Sequence, residues 1–244
     1  MREDGNEGES SSFAIAAGLA AVNAEVIAWG VLLFLMVDGV LSVLFGTAPR
    51  VLMHFFFDAL VVHAGLRSML SGGRFAGLDA VLTADGRMPW LFVFRAVVLM
   101  MPGILALLMI GGLMMPVLGT AGALIAGVVV GLATYAITFA LFGTMLADLA
   151  AGGDGNPEVA LGRGQARFAA AFALMLTGPV LAELALYVVD RLVYAIALPD
   201  RAILPETEHI SLLGLGVDAI LLTGGIYVSL VTAAVLGRTW LGRI

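Results

Sequence analysis

Several ionisable side chains of this 244-residue chain lie inside long apolar runs. Asp38, Asp58, Glu183, Asp190 and Asp218 interrupt stretches of Leu, Val, Ile, Ala, Gly and Phe, and Arg191 follows Asp190 directly. A charge at the centre of a membrane-spanning helix is unfavourable by about 2.5–3.5 kcal/mol on insertion scales, so such groups face protein or water. Two uses are open to them. They can pair with Arg95, Arg191, serines, threonines or backbone, or Asp38, Asp58, Glu183 and Asp218 can line a path for a proton or cation. Glu25 and Arg95 stand nearer the ends of their apolar runs.

Spacing limits what single helices can build. Glu183, Tyr187 and Arg191 recur every fourth residue and share one helical face, where a Glu–Tyr–Arg ladder can satisfy itself. His54 and Asp58 are also four apart and can pair. His63 is five residues past Asp58, about 140° around the helix, so the three do not converge on a metal. No metal or cofactor site is expected. The chain has no cysteine, which excludes disulfides, thiolate ligands and cysteine nucleophiles. It has no phosphate loop with lysine, no HExxH and no G-x-S-x-G, and Ser42, Ser68 and Ser229 lack the setting of an intramembrane protease serine. His209, beside Glu206 and Glu208, reads as a solvated loop residue. The expectation is a protein that is not an enzyme.

The elements that must hold these residues follow from composition. Hydrophobic residues make up 61% and charged residues 12%, against about a quarter charged in soluble domains. With a mean hydropathy of +1.06, the chain is expected to be an all-α, polytopic membrane bundle. The net charge of −6 gives no basic excess for nucleic acid. At roughly 20 residues per crossing, the sequence holds six spans. They are Ala24–Gly46, Val51–Leu70, Trp90–Met114, Val117–Leu149, Arg167–Leu198 and Ile210–Leu236. Pro102-Gly103 predicts a kink in the third, and Gly178-Pro179 one in the long fifth. Residues 71–89 and 150–165 read as polar loops, and Pro199 to His209 as a short acidic one. Phe13 to Asn23 is either an interfacial helix or the start of the first span. The continuous apolar runs do not alternate, which argues against a barrel.

All 12 basic residues are arginine, and their placement orients the chain. With both termini inside, the inner segments hold Arg2, Arg67, Arg74, Arg87, Arg163, Arg167, Arg238 and Arg243, and the outer ones Arg50 and Arg201. Residues 1–12 carry Glu3, Asp4, Glu7 and Glu9 and read as a retained, disordered acidic tail, with residues 13–244 as a single transmembrane domain. Gly119, Ala123, Gly127 and Gly131 repeat every fourth residue and predict a close helix–helix interface, within the bundle or between subunits. Met100, Met101, Met109, Met114 and Met115 read as adaptable packing.

The order of these features resembles a known family. After the second span comes LRSMLSGGRFAGLDAVLTADGRMPW, then MMPGILALL within a span, and later LFGTMLADLAAGGDGNPEVALGRGQARFAAAFALML. Over residues 50–236 this pattern resembles the membrane domain of some bacterial glycerophosphodiester phosphodiesterases and related stand-alone six-span proteins. The family's activity resides in a separate soluble domain for which these 244 residues leave no room, so the resemblance implies no catalytic residue. Together these readings lead to the expectation of a non-catalytic protein of the bacterial inner membrane, a scaffold or accessory subunit. Its expected partners are lipids, further copies of itself or a larger membrane complex, with no nucleic acid. The alternative is a small transporter or channel for a proton, cation or small solute, which requires the buried carboxylates to line one cavity. A third reading, a lipid- or cofactor-contacting subunit, requires an apolar groove rimmed by arginines such as Arg67 or Arg95.

Overall fold

A computed structural model describes residues 11–45, 48–71, 90–196 and 212–242, and every regular element among them is helical. In order they are α1 (Ser12–Val22), α2 (Ala24–Phe45), α3 (Ala48–Ser71), α4 (Trp90–Phe142), α5 (Thr144–Ala150), α6 (Pro157–Ala166) and α7 (Phe168–Met175). A π-helical turn (Leu176–Val180) then joins α7 to α8 (Leu181–Ile196), and α9 (Leu212–Leu241) follows. Most of the acidic tail, the loops expected at 72–89 and 199–209, and the side chain of Arg191 lie outside the described residues.

Four helical segments are long and apolar enough to cross a membrane: Ala24–Leu41, Trp90–Phe142, Phe168–Asp190 and Gly214–Leu241. The second is not one rod. Its 53 residues would extend about 80 Å if straight, far beyond a bilayer core of about 30 Å. Gly119 breaks it, at φ 68° and ψ 178°. The two legs, 90–118 and 120–142, fold back on each other, with Gly103 against Gly131, Leu107 against Gly127 and Gly111 against Ala123.

The turn at Gly119 falls where the third expected span gives way to the fourth, and the backbone dihedrals stay helical through Pro102-Gly103. Gly119 therefore does not lie on the packing face with Ala123, Gly127 and Gly131; nothing approaches within 4 Å of a Cβ placed there.

α9 is the central post. From Leu230 to Leu236 it is buried on all sides, as expected of a helix that is apolar all round. α3 runs parallel to it, because Asp58 meets Ser229, Gly65 meets Leu230 and Ala233, and Met69 meets Gly237. The segment from α7 to α8 runs antiparallel, with Gly178 beside Val231 and Val235, and Leu186 beside Gly224. α2 lies on α3 through Phe34, whose ring meets His54 at 4.7 Å and Phe57 at 4.8 Å.

Two boundaries depart from the sequence reading. The fourth apolar run ends at Phe142 rather than Leu149, because Gly143 presses onto the Phe139 carbonyl and Leu236 and the chain re-starts as α5. The region expected to be a loop at 150–165 contains α6. Asn156 caps it, accepting from the Glu158 and Val159 N–H groups at 2.9 and 3.4 Å, and Pro157 occupies the first turn. Gly164 then lets α6 lie directly on the backbone of Leu141. The kink at Gly178-Pro179 takes the form of the π turn. Phe13 to Asn23 forms its own helix, set off from α2 at Asn23 and joined to α9 by the Tyr227 hydroxyl, which donates to the Phe13 carbonyl at 3.1 Å.

Candidate functional site

α3, both legs of α4, the π turn, α8 and α9 line an open-sided cavity of about 390 Å³. Its walls are mostly apolar, and its polar groups come from different helices. Asp58 comes from α3, Tyr135 from the second leg of α4, Glu183 and Tyr187 from α8, and Ser229 and Thr232 from α9. Asp58 lies near the middle of α3 and Ser229 near the middle of α9, so the polar patch sits halfway along the bundle.

Local geometry explains why these residues converge. The π turn removes the normal register at Thr177-Gly178-Pro179 and widens the helix there. Gly178 lets the turn approach α9 at Val231 and Val235. Beyond it, α8 packs on α9 but makes few or no contacts with the α4 hairpin, and the cavity occupies the space between them. Gly103 and Gly131 thin the hairpin wall opposite.

The polar groups are fixed to unequal degrees. Ser229 donates its hydroxyl to Asp58 Oδ1 at 3.2 Å. Thr232 donates to the Val228 carbonyl at 3.1 Å, and its side chain interacts with that of Tyr135. The Tyr135 ring also packs on Phe139, centroids 4.4 Å apart. Glu183 makes no hydrogen bond or ion pair among the described residues, and Asp58 has no arginine partner there. Two carboxyls thus line one mostly apolar cavity with no cationic side chain among its described wall residues. Taking ionised groups out of water is unfavourable by several kcal/mol each unless something compensates the charge.

The other sequence candidates are placed elsewhere. Asp38 is buried in α2 and does not line the cavity. Asp190 follows Glu183 by two turns along α8, and Asp218 precedes Ser229 by three turns along α9; neither is a wall residue. Gly131 belongs to the cavity wall, whereas Ala123 and Gly127 sit in the hairpin seam. His54 meets Phe34, and His63 sets its ring edge-on to Phe92 at 4.7 Å. No group of three or more His, Asp or Glu residues suited to a metal occurs among the described residues.

Sequence reasoning missed Tyr135, Ser229 and Thr232 as site residues. A tyrosine within a small-residue span was the available signal for the first, and the other two look like ordinary helix hydroxyls.

A second polar cluster lies at the end of the bundle where α5 and α6 meet. Asp148 accepts from the Gly155 N–H at 2.9 Å and the Trp240 indole at 3.4 Å, and stands 3.6 Å from Arg163. The guanidinium of Arg95 donates to the carbonyls of Asp154, at 3.1 Å, and Gly155. Arg167 donates to the Thr239 carbonyl at 2.9 Å. These charges fasten one loop and the C-terminal end of α9 to the bundle. Compared with known proteins, the chain matches no family model, no curated protein and no solved structure.

Proposed function

We propose that the chain is a six-span carrier of the bacterial inner membrane that moves a proton or a cation through the Asp58–Glu183 cavity. The observation that carries this reading is that two carboxyls from separate helices line one cavity in mid-bundle. The alternative with unconnected, individually paired carboxylates would have removed its basis. Counting α2, α3, the two legs of α4, the α7–α8 segment and α9 gives the six crossings. Their directions alternate as six successive spans require: α3 and α9 run together, and α8 and α9 oppose each other. The arginine excess at the α5–α6 end supports a cytoplasmic location for that end and for both termini.

The test is proton flux in proteoliposomes holding the purified full-length chain, read by an entrapped pH dye under an imposed gradient. Flux that falls about tenfold or more in Asp58→Asn and Glu183→Gln supports the carrier. Flux equal to that of protein-free vesicles, or unchanged by both substitutions, removes the proton, and the proton alone, as the species carried.

An accessory-subunit role has one observation in its favour. α8 presents Leu181, Val188, Val189 and Leu192 to the outside at about half exposure, while packing mainly on α9. A stoichiometric partner chain in gentle native extracts would shift the assignment to that role.

A further inference from the structure

The carrier reading leaves open what is carried, and the wall of the cavity narrows the choice. We propose that the cavity binds a monovalent organic cation with an apolar body, an amine or quaternary ammonium, which pairs with Asp58 and Glu183 and enters sideways from the lipid between the α4 hairpin and α8. This inference rests on the carrier reading and adds the substrate class to it.

The sign of charge comes first. The titratable groups facing the cavity are Asp58 from α3, Tyr135 from α4, and Glu183 and Tyr187 from α8. α9 adds the hydroxyls of Ser229 and Thr232, and the π turn adds Pro179 and Val180. Among the described residues the wall holds no arginine or histidine, and its two carboxyls disfavour an anion.

Size and wall chemistry come next. A proton path needs a chain of polar groups and no empty volume. Here about 390 Å³ is open, within the range of about 300–1,000 Å³ typical of small-molecule sites. A hard metal ion needs about six or more oxygen ligands. The wall's two carboxyls and four hydroxyls are spread over four helices, and no group of three or more His, Asp or Glu suited to a metal occurs among the described residues. The rest is Val, Leu, Ile, Met, Phe, Gly and Pro, which suits an apolar body. Tyr135, held by Phe139 and Thr232, and Tyr187 offer aromatic faces, which attract cations stripped of water.

The route is marked by residues that belong to the wall and to the outer surface at once. Leu184 and Tyr187 line the cavity and are each 41% exposed. Both lie on α8, where it parts from the hairpin. An amphipathic cation concentrates in the bilayer, so a lateral mouth delivers it with its apolar end leading. On binding, the cation takes the place of a proton on the carboxyl pair. One positive charge enters and one leaves, and the cavity's net charge is unchanged.

The test uses the full-length chain in lipid nanodiscs and radiolabelled benzyltrimethylammonium. Its neutral carbon isostere, neopentylbenzene, serves as the competitor. The proposal expects saturable binding that weakens as pH falls, that the isostere displaces poorly, and that drops about tenfold or more in Glu183→Gln. Glu183→Asp keeps the charge and must retain binding, which separates loss of charge from loss of fold. Absent binding overturns the proposal, as does binding indifferent to Glu183→Gln or equal displacement by the isostere. Proton flux in proteoliposomes of the same purified chain tells the two readings apart. Carboxyl-dependent flux without ammonium binding overturns the substrate class alone, and absence of both overturns the carrier as well.

Discussion

Ser229 on α9 donates its hydroxyl to Asp58 on α3 at 3.2 Å, linking two helices that run side by side in the same direction. The bond joins the central post of the bundle to a carboxyl of the cavity, so it has a structural and an electrostatic role at once. Interhelical bonds of this kind are worth about 0.6–1.7 kcal/mol within membranes. Ser229→Ala is expected to lower stability by an amount in that range, read as the melting temperature in detergent. Asp58→Asn keeps an acceptor for Ser229 and removes the charge. It should therefore spare stability more than Ser229→Ala does, while reducing transport more. The reverse ranking would mean that Asp58 serves packing alone.

The α4 hairpin depends on missing side chains. A Cβ at Gly127 would stand 2.7 Å from the Leu107 carbonyl oxygen, and one at Gly131 would stand 2.9 Å from the Leu107 Cβ. Backbone cannot give way as a side-chain end can, and overpacking typically costs about 1–3 kcal/mol. Gly127→Ala is therefore expected to destabilise the protein by about that much, and Gly127→Leu to prevent its purification as a monodisperse species. Gly112 has open space around it, so Gly112→Ala is the matched control and should leave the melting temperature unchanged or raise it slightly. Equal effects at the two positions would show that the legs are not held by close approach.

The contrast between Gly119 and Gly127 marks how far the sequence could be read. Four small residues at four-residue spacing announced a close-packed face, and three of them form one. The fourth is the turn, because φ near +68° is open to glycine and closed to most other residues, and spacing alone carries no such information. Helical class and the positions of apolar segments were legible because about 20 apolar residues in a row have few other uses. α6 was missed although Asn156-Pro157-Glu158 is a helix-start signal, because its glycines argued for a loop. One of them, Gly164, serves contact with Leu141, a tertiary fact. Of the acids within the apolar runs, Asp58 and Glu183 line one cavity while Asp38 and Asp218 do not, and which ones converge depends on helix packing. Tyr135 joined the site for the same reason: its register against Thr232 is set by how the hairpin leans on α9.

Asp148 organises the opposite end of the molecule. It holds the Gly155 N–H, the Trp240 indole and the Arg163 guanidinium together, and so ties the α5–α6 connection to the end of α9. Asp148→Ala leaves those donors to find water or go unpaired, at about 1–3 kcal/mol for a buried donor. The expected result is faster proteolytic cleavage between residues 150 and 156, with Trp240 fluorescence shifted to the red. Asp148→Asn keeps an acceptor and should fall between wild type and Asp148→Ala. Cleavage rates that do not change would mean that Arg95, through the Asp154 and Gly155 carbonyls, holds the loop alone.

Orientation across the bilayer can be read with thiols, because the natural chain contains no cysteine and every introduced one is a clean probe. Val117 is 76% exposed beside the turn of the α4 hairpin, and Val159 is 48% exposed on α6. The two positions mark opposite ends of the second leg of α4, since that leg runs from the Gly119 turn to Phe142 and α6 packs against Leu141. Single-cysteine variants Val117→Cys and Val159→Cys should therefore react from opposite sides. In intact bacterial cells, a membrane-impermeant maleimide is expected to label position 117 directly and position 159 only after the membrane is opened. That pattern is the one the proposed orientation predicts, in which the arginine bias assigns Arg163 and Arg167, with α6, to the cytoplasmic side. Labelling of 159 alone in intact cells would invert the topology. Labelling of both at equal rates would mean that the second leg of α4 does not cross the bilayer, and the count of six crossings would fall with it.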